Sequence, residues 1–487
     1  MSVQVLRRES SPSVTEDTLR DALSRQREAF LAHGPPSYNE RRLDLRRLLK
    51  MILDNEDRLL AAIDADFGGR SAEESRRLEL LPSLMGLRHT IRHLRRWMRP
   101  VRRRAHWATW PSRARIELQP LGVVGVIAPW NYPFFLAIGP LTGALAAGNR
   151  VMIKPSEYTP KTSSLLAELI AQTFPPEKVM VFNGGPEVAK SFSSLPFDHL
   201  LFTGSTGVGR LVMRAASENL VPVTLELGGK SPLVLAKDYP LRPSSLGQVL
   251  SGKLLNAGQT CVAPDYLLVH ESQRDALVAA LGEALAEIYP KLADNTDYTA
   301  IINERHRERL LAHLRDAEEK GATLIELNPG GESSAAFAAA SKLPLTLAVD
   351  VDDSMTVMQD EIFGPILPIE TYSDLDQAVA RINARPRPLA AYLFSHDRGI
   401  VRDFSERVVS GALSINATLI HVAQDDIPFG GVGPSGMGHY HAREGFLTFS
   451  HQKAVYHQLQ PNLMHLILPP YTGELKKKLI RVLLEHG

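Results

Sequence analysis

Cysteine is nearly absent from this chain: one residue, Cys261, among 487. A lone cysteine excludes an internal disulfide and any site built from several cysteines. It leaves an inert core thiol or a nucleophile. A surplus of charge is missing too, since 55 basic residues face 54 acidic ones for a net of +1. That balance gives no electrostatic case for nucleic acid or an anionic membrane as the main partner. No window holds the long uncharged apolar run that a membrane span requires. Met1-Ser-Val-Gln-Val-Leu-Arg-Arg has basic residues with no apolar stretch behind it, so no secretory signal is expected. One cysteine and no export signal point to the reducing cytoplasm. Internal repeats and low-complexity tracts are lacking as well. What is present, 44% hydrophobic and 22% charged residues, is ordinary for a soluble globular protein long enough for two or three domains.

The first hundred residues read as helices. Leu45, Leu48, Leu49, Ile52, Leu59, Leu60 and Ile63 recur at helical spacing between Arg41 and Asp66. Gly34-Pro35-Pro36 separates this stretch from an earlier helix around Glu16 to Ala32. The basic run Arg95, Arg96, Arg99, Arg102, Arg103 and Arg104 is read as a solvated helix end and strand entry, because the total charge is balanced. From Gly122 the character changes. Val123 to Ile127, Val151 to Ile153, Val179 to Phe182 and Leu200 to Phe202 are short apolar runs of the kind buried on both faces of a sheet. A helical pattern over Thr162 to Thr173 lies among them, so a parallel, doubly wound sheet is expected. A second α/β series follows Glu226, with strands at 233–235, 266–269, 322–327, 366–369 and 392–394 and helices at 273–288 and 304–320.

Cys261 sits in Asn256-Ala-Gly-Gln-Thr-Cys-Val-Ala-Pro. Small polar neighbours suit an accessible turn better than a core strand. Upstream, Glu226-Leu-Gly-Gly-Lys-Ser-Pro offers a carboxylate in a Gly-rich loop. Together these resemble the two active-site signatures of the aldehyde dehydrogenase superfamily. Further matching segments follow in family order: Pro129-Trp-Asn-Tyr-Pro133, Lys154-Pro-Ser-Glu157, Phe202-Thr-Gly-Ser-Thr-Gly207, Glu361-Ile-Phe-Gly-Pro365 and Pro428-Phe-Gly-Gly-Val-Gly-Pro-Ser-Gly436. The likeness runs from about Leu43 to about Val455. Within it, the short N-terminal lead and the Cys261 segment look like the class 3 branch. Asn131 to Phe134, Pro196 to Gly204 and Gly433 to His441 are similar to bacterial coniferyl aldehyde dehydrogenases.

The resemblance implies two Rossmann-like α/β domains and a small β oligomerisation arm. The expected division is N-terminal helices at 1–100, the first part of the arm at 101–119, and an NAD-binding domain at 120–225. A catalytic domain follows at 226–427, then a return segment at 428–487 with the second part of the arm, from Gly436, and a tail. The implied reaction is oxidation of an aldehyde, aromatic or medium-chain, to its acid through a thiohemiacetal and a thioester. Cys261 is the expected nucleophile, Asn131 and the Cys261 N–H the oxyanion donors, and Glu226 the base that activates water. Lys230 is expected to steady the site.

Gly204-Ser-Thr-Gly-Val-Gly209 departs from the strict dinucleotide fingerprint, yet it follows an apolar strand and opens a helical stretch. Gly204 and Ser205 are therefore expected at the pyrophosphate. Lys154 and Glu157 are expected at the adenosine ribose, Glu361 at the nicotinamide ribose and Phe363 near the nicotinamide ring, with Trp130 also among the cofactor-binding residues. Phe363 has an equal claim as core packing. A carboxylate at Glu157 favours NAD over NADP without excluding the latter. Tyr132, Phe134 and Thr418 are candidate walls of the aldehyde pocket. His306 and His313 read as surface histidines, and no metal is called for. A homodimer is expected by the same likeness. Leu475, Leu479, Ile480, Leu483 and Leu484 form one apolar face of a basic C-terminal helix, read as docked on its own dimer rather than lying on a membrane. Competing readings are a general class 3 fatty or aliphatic aldehyde dehydrogenase, acyl transfer to coenzyme A, disfavoured by Glu226, and a non-catalytic binding protein reusing the fold.

Overall fold

The computed structural model describes residues 14–106, 109–462 and 468–486. The N-terminal lead at 1–8 and the Leu483 side chain, both used above, lie outside the described residues. Among those described, the strands form three sheets. In the six-stranded sheet the order is Gly436–Met437, Val223–Glu226, His199–Thr203, Val123–Ile127, Arg150–Lys154 and Val179–Val181. All pairs are parallel except the first. The order reverses direction between Val123–Ile127 and His199–Thr203, the switch point at which doubly wound sheets bind ligands.

The seven-stranded sheet runs Thr323–Leu327, Leu345–Val349, Ile366–Tyr372, Tyr266–His270, Pro232–Leu235, Ala390–Phe394 and Ala412–Ile415, parallel apart from its first strand. The sequence reading missed Leu345–Val349 and Ala412–Ile415. The third sheet is antiparallel and joins Val101–Arg103, Ser112–Pro120 and Ser450–Gln458. Gly436–Met437, expected in the arm, pairs instead with Glu226 and Leu225 on the six-stranded sheet.

Local chemistry accounts for these elements. Val123–Ile127 is buried at every position, as a strand covered on both faces must be. Its Gly125 is required because a Cβ there would lie 2.7 Å from the Phe197 ring. Helix Phe135–Ala147 is almost wholly apolar and is buried at every position except Phe135 and Gly139. Gly148, at φ 93°, ends it in the left-handed conformation. The buried Arg41 donates to Ala146 O and Ala147 O at 3.1 and 2.7 Å, a cation on the negative end of the helix. The single helix expected over 41–66 is two, Tyr38–Asp54 and Glu56–Phe67. They break at Asn55, whose amide returns to Met51 O at 2.9 Å. One hydrophobic core spans both large sheets, and a second fills the space between helix Glu16–His33 and the outer face of the six-stranded sheet. Among the described residues, no helix is long and apolar enough to cross a membrane.

Asn131, Lys154, Glu157, Gly204, Ser205 and Glu226 all lie at or just beyond the C-terminal ends of strands of the six-stranded sheet. Cys261 and Glu361 precede strands of the seven-stranded sheet. The fold thus turns two strand-end rims toward a common site.

Candidate active site

Cys261 is held by an unusual turn. After helix Pro243–Leu254, Asn256, Ala257 and Gly258 all take positive φ, at 53°, 51° and 76°. Only glycine fits at 258, where a Cβ would sit 2.6 Å from Gly364 O. This turn is not the accessible one expected: Asn256, Ala257 and Gln259 have no exposed surface. Their polar groups are there to bond inward. Gln259 Nε2 donates to Asn256 O and Ala300 O, both at 3.0 Å, and its Oε1 accepts from Ile302 N at 3.0 Å. Asn256 Nδ2 donates to Asn131 O and Gln259 O, also at 3.0 Å. A buried turn with paired polar groups is rigid.

The same network seats Asn131. Its Nδ2 donates to Gln259 O at 3.1 Å, which commits one of its two amide protons. Its carbonyl also accepts from Arg70 Nη1 at 3.1 Å. Arg70, with no exposed side-chain surface, pairs with the equally buried Glu79 at 2.9 Å. Glu79 Oε2 then accepts from Phe134 N and Phe135 N at 2.8 and 3.1 Å. Glu74 Oε1 accepts from Asn256 N at 3.1 Å and from Thr299 Oγ1 at 2.8 Å. Burial pushes both carboxyls up, and the Arg70 charge opposes it. None of these three residues is legible as functional in the sequence, because Arg70-Ser-Ala-Glu-Glu-Ser-Arg-Arg-Leu-Glu79 reads as a solvated face.

Glu226 is the last residue of strand Val223–Glu226 rather than part of a flexible loop, and it is 3% exposed. Among the described residues neither of its oxygens has a hydrogen-bond partner. Burial alone pushes its carboxyl well above the ordinary range. The Cys261 thiol is pushed up to about 12 by burial and then by the Glu361 and Glu226 charges. Tyr440, 1% exposed, carries a buried hydroxyl with no partner among the described residues. Burial raises it first, then the Glu226 and Cys261 charges. Cys261, Glu226 and Tyr440 thus lie within electrostatic reach of one another around one chamber, in which Glu226 and Tyr440 are buried and Cys261 keeps part of its surface exposed. Lys230 bonds Asp265, Val357 O at 2.7 Å and Asp360 O at 2.9 Å. Asp265 in turn accepts from Ile362 N at 2.9 Å, so Lys230 ties the Glu226 motif to the segment carrying Glu361 and Phe363.

Lys154, 2% exposed, donates to Pro155 O at 2.9 Å and Glu157 Oε2 at 3.0 Å. Ser205 caps helix Thr206–Ser217 through Val208 N at 3.4 Å. Glycine at 209 lets that helix approach Leu227, which a Cβ would meet at 2.6 Å. The Glu361 carboxylate lies over Gly228, where a Cβ would be 2.2 Å from both oxygens. Its Oε1 is buried with no partner among the described residues. Burial, then the Asp265 charge, raises this carboxyl to about 8. Phe363 meets Trp130 edge-on at 5.4 Å between ring centroids. A capped helix N-terminus, a buried lysine beside Glu157 and an orphaned carboxylate oxygen suit the pyrophosphate and ribose hydroxyls of a dinucleotide.

His306 and His313 are not surface residues. The His306 ring lies 4.9 Å from that of Trp130. His313, 5% exposed, bonds Thr356 Oγ1 at 2.8 Å and Arg309 Nη1 at 3.1 Å. Arg309 also donates to Glu361 O at 3.1 Å and Ile362 O at 2.6 Å. No group of three metal-ligating side chains occurs among the described residues.

The three suggested wall residues turn inward. Tyr132 OH bonds Thr260 Oγ1 at 2.6 Å, Phe134 is fully buried, and Thr418 donates to Gln248 O at 2.6 Å. The cleft beside the chamber is lined instead by Phe135, Gly139, Gly143, Val422, Tyr440 and His441, among others.

Known proteins resemble this chain in sequence and in fold. The profile of the aldehyde dehydrogenase family matches residues 9–455. A probable coniferyl aldehyde dehydrogenase of Pseudomonas aeruginosa is 50% identical over 459 residues, covering 94% of this chain and 95% of its own. A coniferyl aldehyde dehydrogenase of a Pseudomonas species is 46% identical over 472 residues, covering 97% of each. Among solved structures, Staphylococcus aureus AldH in a substrate-bound state superposes with a TM-score of 0.89 at 38% identity, over 95% of this chain and 99% of that one. A Mycobacterium tuberculosis aldehyde dehydrogenase complexed with NAD+ gives 0.82 at 30% identity, over 92% and 91%.

Proposed function

Because the chain belongs to the aldehyde dehydrogenase family and oxidises aldehydes with NAD, we propose that its substrate is an aromatic propenal such as coniferaldehyde. We also propose that Cys261, Glu226 and Asn131 perform the chemistry. The observation that carries the roles is the shared chamber: an unpartnered carboxylate raised by burial, a thiol that this carboxylate's charge helps to raise, and an amide bonded to the turn before Cys261. Two relatives named for coniferyl aldehyde, and a cleft walled by Phe135, Tyr440 and His441 with glycines between, support a flat aromatic substrate.

Cys261 must lose its proton before attack, and Glu226, raised by burial and bonded to nothing, is the base in electrostatic reach. Addition of Sγ to the carbonyl carbon makes the aldehyde oxygen an oxyanion. The free Asn131 proton and the Cys261 backbone N–H receive it. When bound, NAD supplies the acceptor for the hydride, held by Lys154, Glu157, Ser205 and Glu361. Glu226 passes the Cys261 proton to solvent, and the Cys261 thioester is then hydrolysed by a water whose proton Glu226 takes and returns to the leaving Sγ as the acid forms. The same carboxylate therefore serves both half-reactions.

A homodimer in the cytoplasm completes the reading. Strand Ser450–Gln458 is a largely exposed sheet edge. Val208 and Leu211 lie on one exposed apolar face of helix Thr206–Ser217, near Leu220 at 90% exposure. Leu475 and Leu484 of the tail helix are 68% and 82% exposed, so this helix is not packed on its own protomer. The deciding experiment follows NADH formation with NAD and either coniferaldehyde or hexanal. A preference for coniferaldehyde supports the aromatic reading, and a preference for hexanal replaces it with a general class 3 aliphatic activity.

A further inference from the structure

A cleft runs between helix Leu81–Trp97, helix Phe135–Ala147 and the segments 422–425 and 440–442. With the side chains as they stand it is narrow, about 40 Å³, and part of it opens to solvent. Along it, Leu87, Phe135 and Val422 offer apolar surface. Gly139 and Gly143 keep it open: a Cβ at either would already lie 3.2 Å from the ring of Tyr440 or Phe449. At one end stands the Tyr440 hydroxyl, buried and unpartnered among the described residues, within the electrostatic reach of Cys261 and Glu226.

Another lining residue is Asp425, the one anionic side chain in this wall among the described residues. Its side chain is 26% exposed, and burial pushes its carboxyl up, opposed by His89. Three titratable neighbours act on it: His89, His93 and Asp426. None satisfies it. His89 Nδ1 lies 3.9 Å away, beyond hydrogen-bond length, while the other ring nitrogen faces Asp426 at 3.5 Å. A partly desolvated carboxylate with free lone pairs rewards a donor. This lining matches a ligand with a flat apolar body and a hydrogen-bond donor for Asp425, which enters as the side chains move apart.

We propose that Asp425 accepts a hydrogen bond from a hydroxyl at the end of the substrate remote from the aldehyde, and so selects 4-hydroxyaryl aldehydes. The proposal rests on the aromatic reading above and narrows it to one functional group. The test compares kcat/KM for coniferaldehyde and 3-methoxycinnamaldehyde, which differ only in the 4-hydroxyl, in the wild type, Asp425→Asn and Asp425→Ala, with hexanal alongside. The wild type is expected to favour the hydroxylated aldehyde roughly tenfold, as for one charge-assisted hydrogen bond at a partly wet site. Asp425→Asn keeps a carbonyl acceptor and gives an intermediate ratio, and Asp425→Ala brings the ratio to about one. Equal kcat/KM for the two aryl aldehydes in the wild type overturns the proposal while leaving the aromatic reading intact. So does a preference that survives in Asp425→Ala. Turnover of hexanal with neither aryl aldehyde defeats the aromatic reading itself, and this proposal with it. Should Asp425→Ala fail to fold, the wild-type ratio and Asp425→Asn still decide.

Discussion

In a Glu79→Gln variant, the Arg70 guanidinium keeps its charge in a place with no exposed side-chain surface but loses the carboxylate 2.9 Å away. The remaining acid, Glu74, is 3.7 Å from Arg70 Nε. Breaking a buried pair on one side costs about 3–5 kcal/mol. Glu74 and the retained amide acceptor for Phe134 N place this case at the lower end. An unfolding entropy of roughly 2 cal/mol/K per residue converts ~3 kcal/mol into a fall in Tm of about 3 °C for a chain of this length. The functional effect is expected to be larger. Arg70 and Glu79 hold both flanks of the Asn131 loop, through Asn131 O and the Phe134 and Phe135 amides. Displacing a catalytic group by an ångström costs on the order of 100-fold, so kcat/KM for aldehyde should fall about 10- to 100-fold. NAD affinity should change less than twofold, because Lys154, Ser205 and Glu361 stand on other elements. Steady-state NADH formation, thermal unfolding and a cofactor titration measure the three quantities. A fall in Tm of a few degrees with kcat/KM within twofold of wild type would refute the claim that this pair positions Asn131.

Cys261→Ala should abolish NADH formation and leave NAD binding within about twofold, and substantial residual turnover would remove it as the nucleophile. Glu226→Gln should retain hydride transfer more than steady-state turnover. The wild-type steady-state rate should also rise with pH above the ordinary carboxyl range as the carboxyl, raised by burial, gives up its proton, and the variant should lack that rise. An unchanged steady-state rate counts against the base. Glu361 is raised from 4.5 to about 8 by burial and the Asp265 charge. The folded chain therefore holds a proton that the unfolded chain releases between those values, and stability falls as pH rises through that window. The Tm advantage of Glu361→Gln over wild type should accordingly grow from pH 5 to pH 8, and a difference independent of pH contradicts the shift.

Much of the site was legible because its chemistry is local in the chain. Asn131, Lys154 and Gly204 each follow an apolar run, and such runs become parallel strands whose C-terminal ends carry the site. Helix boundaries were less legible: Asn55 breaks 41–66 through its own side chain rather than by a glycine or proline. The sequence by itself determined the family and much of the succession of strand and helix, and it singled out Cys261 as the candidate nucleophile. It could do so because spacing, composition and contiguous motifs are properties of the chain. Only the tertiary structure decided that the polar turn before Cys261 is buried, that Glu226 ends a strand paired with Gly436, and that His306 packs on Trp130. It also showed Arg70, Glu74 and Glu79 to be an internal clamp. Whether a charged side chain is solvated or desolvated depends on what packs against it from distant parts of the chain. That single difference separates a surface charge from one that holds an active site in place.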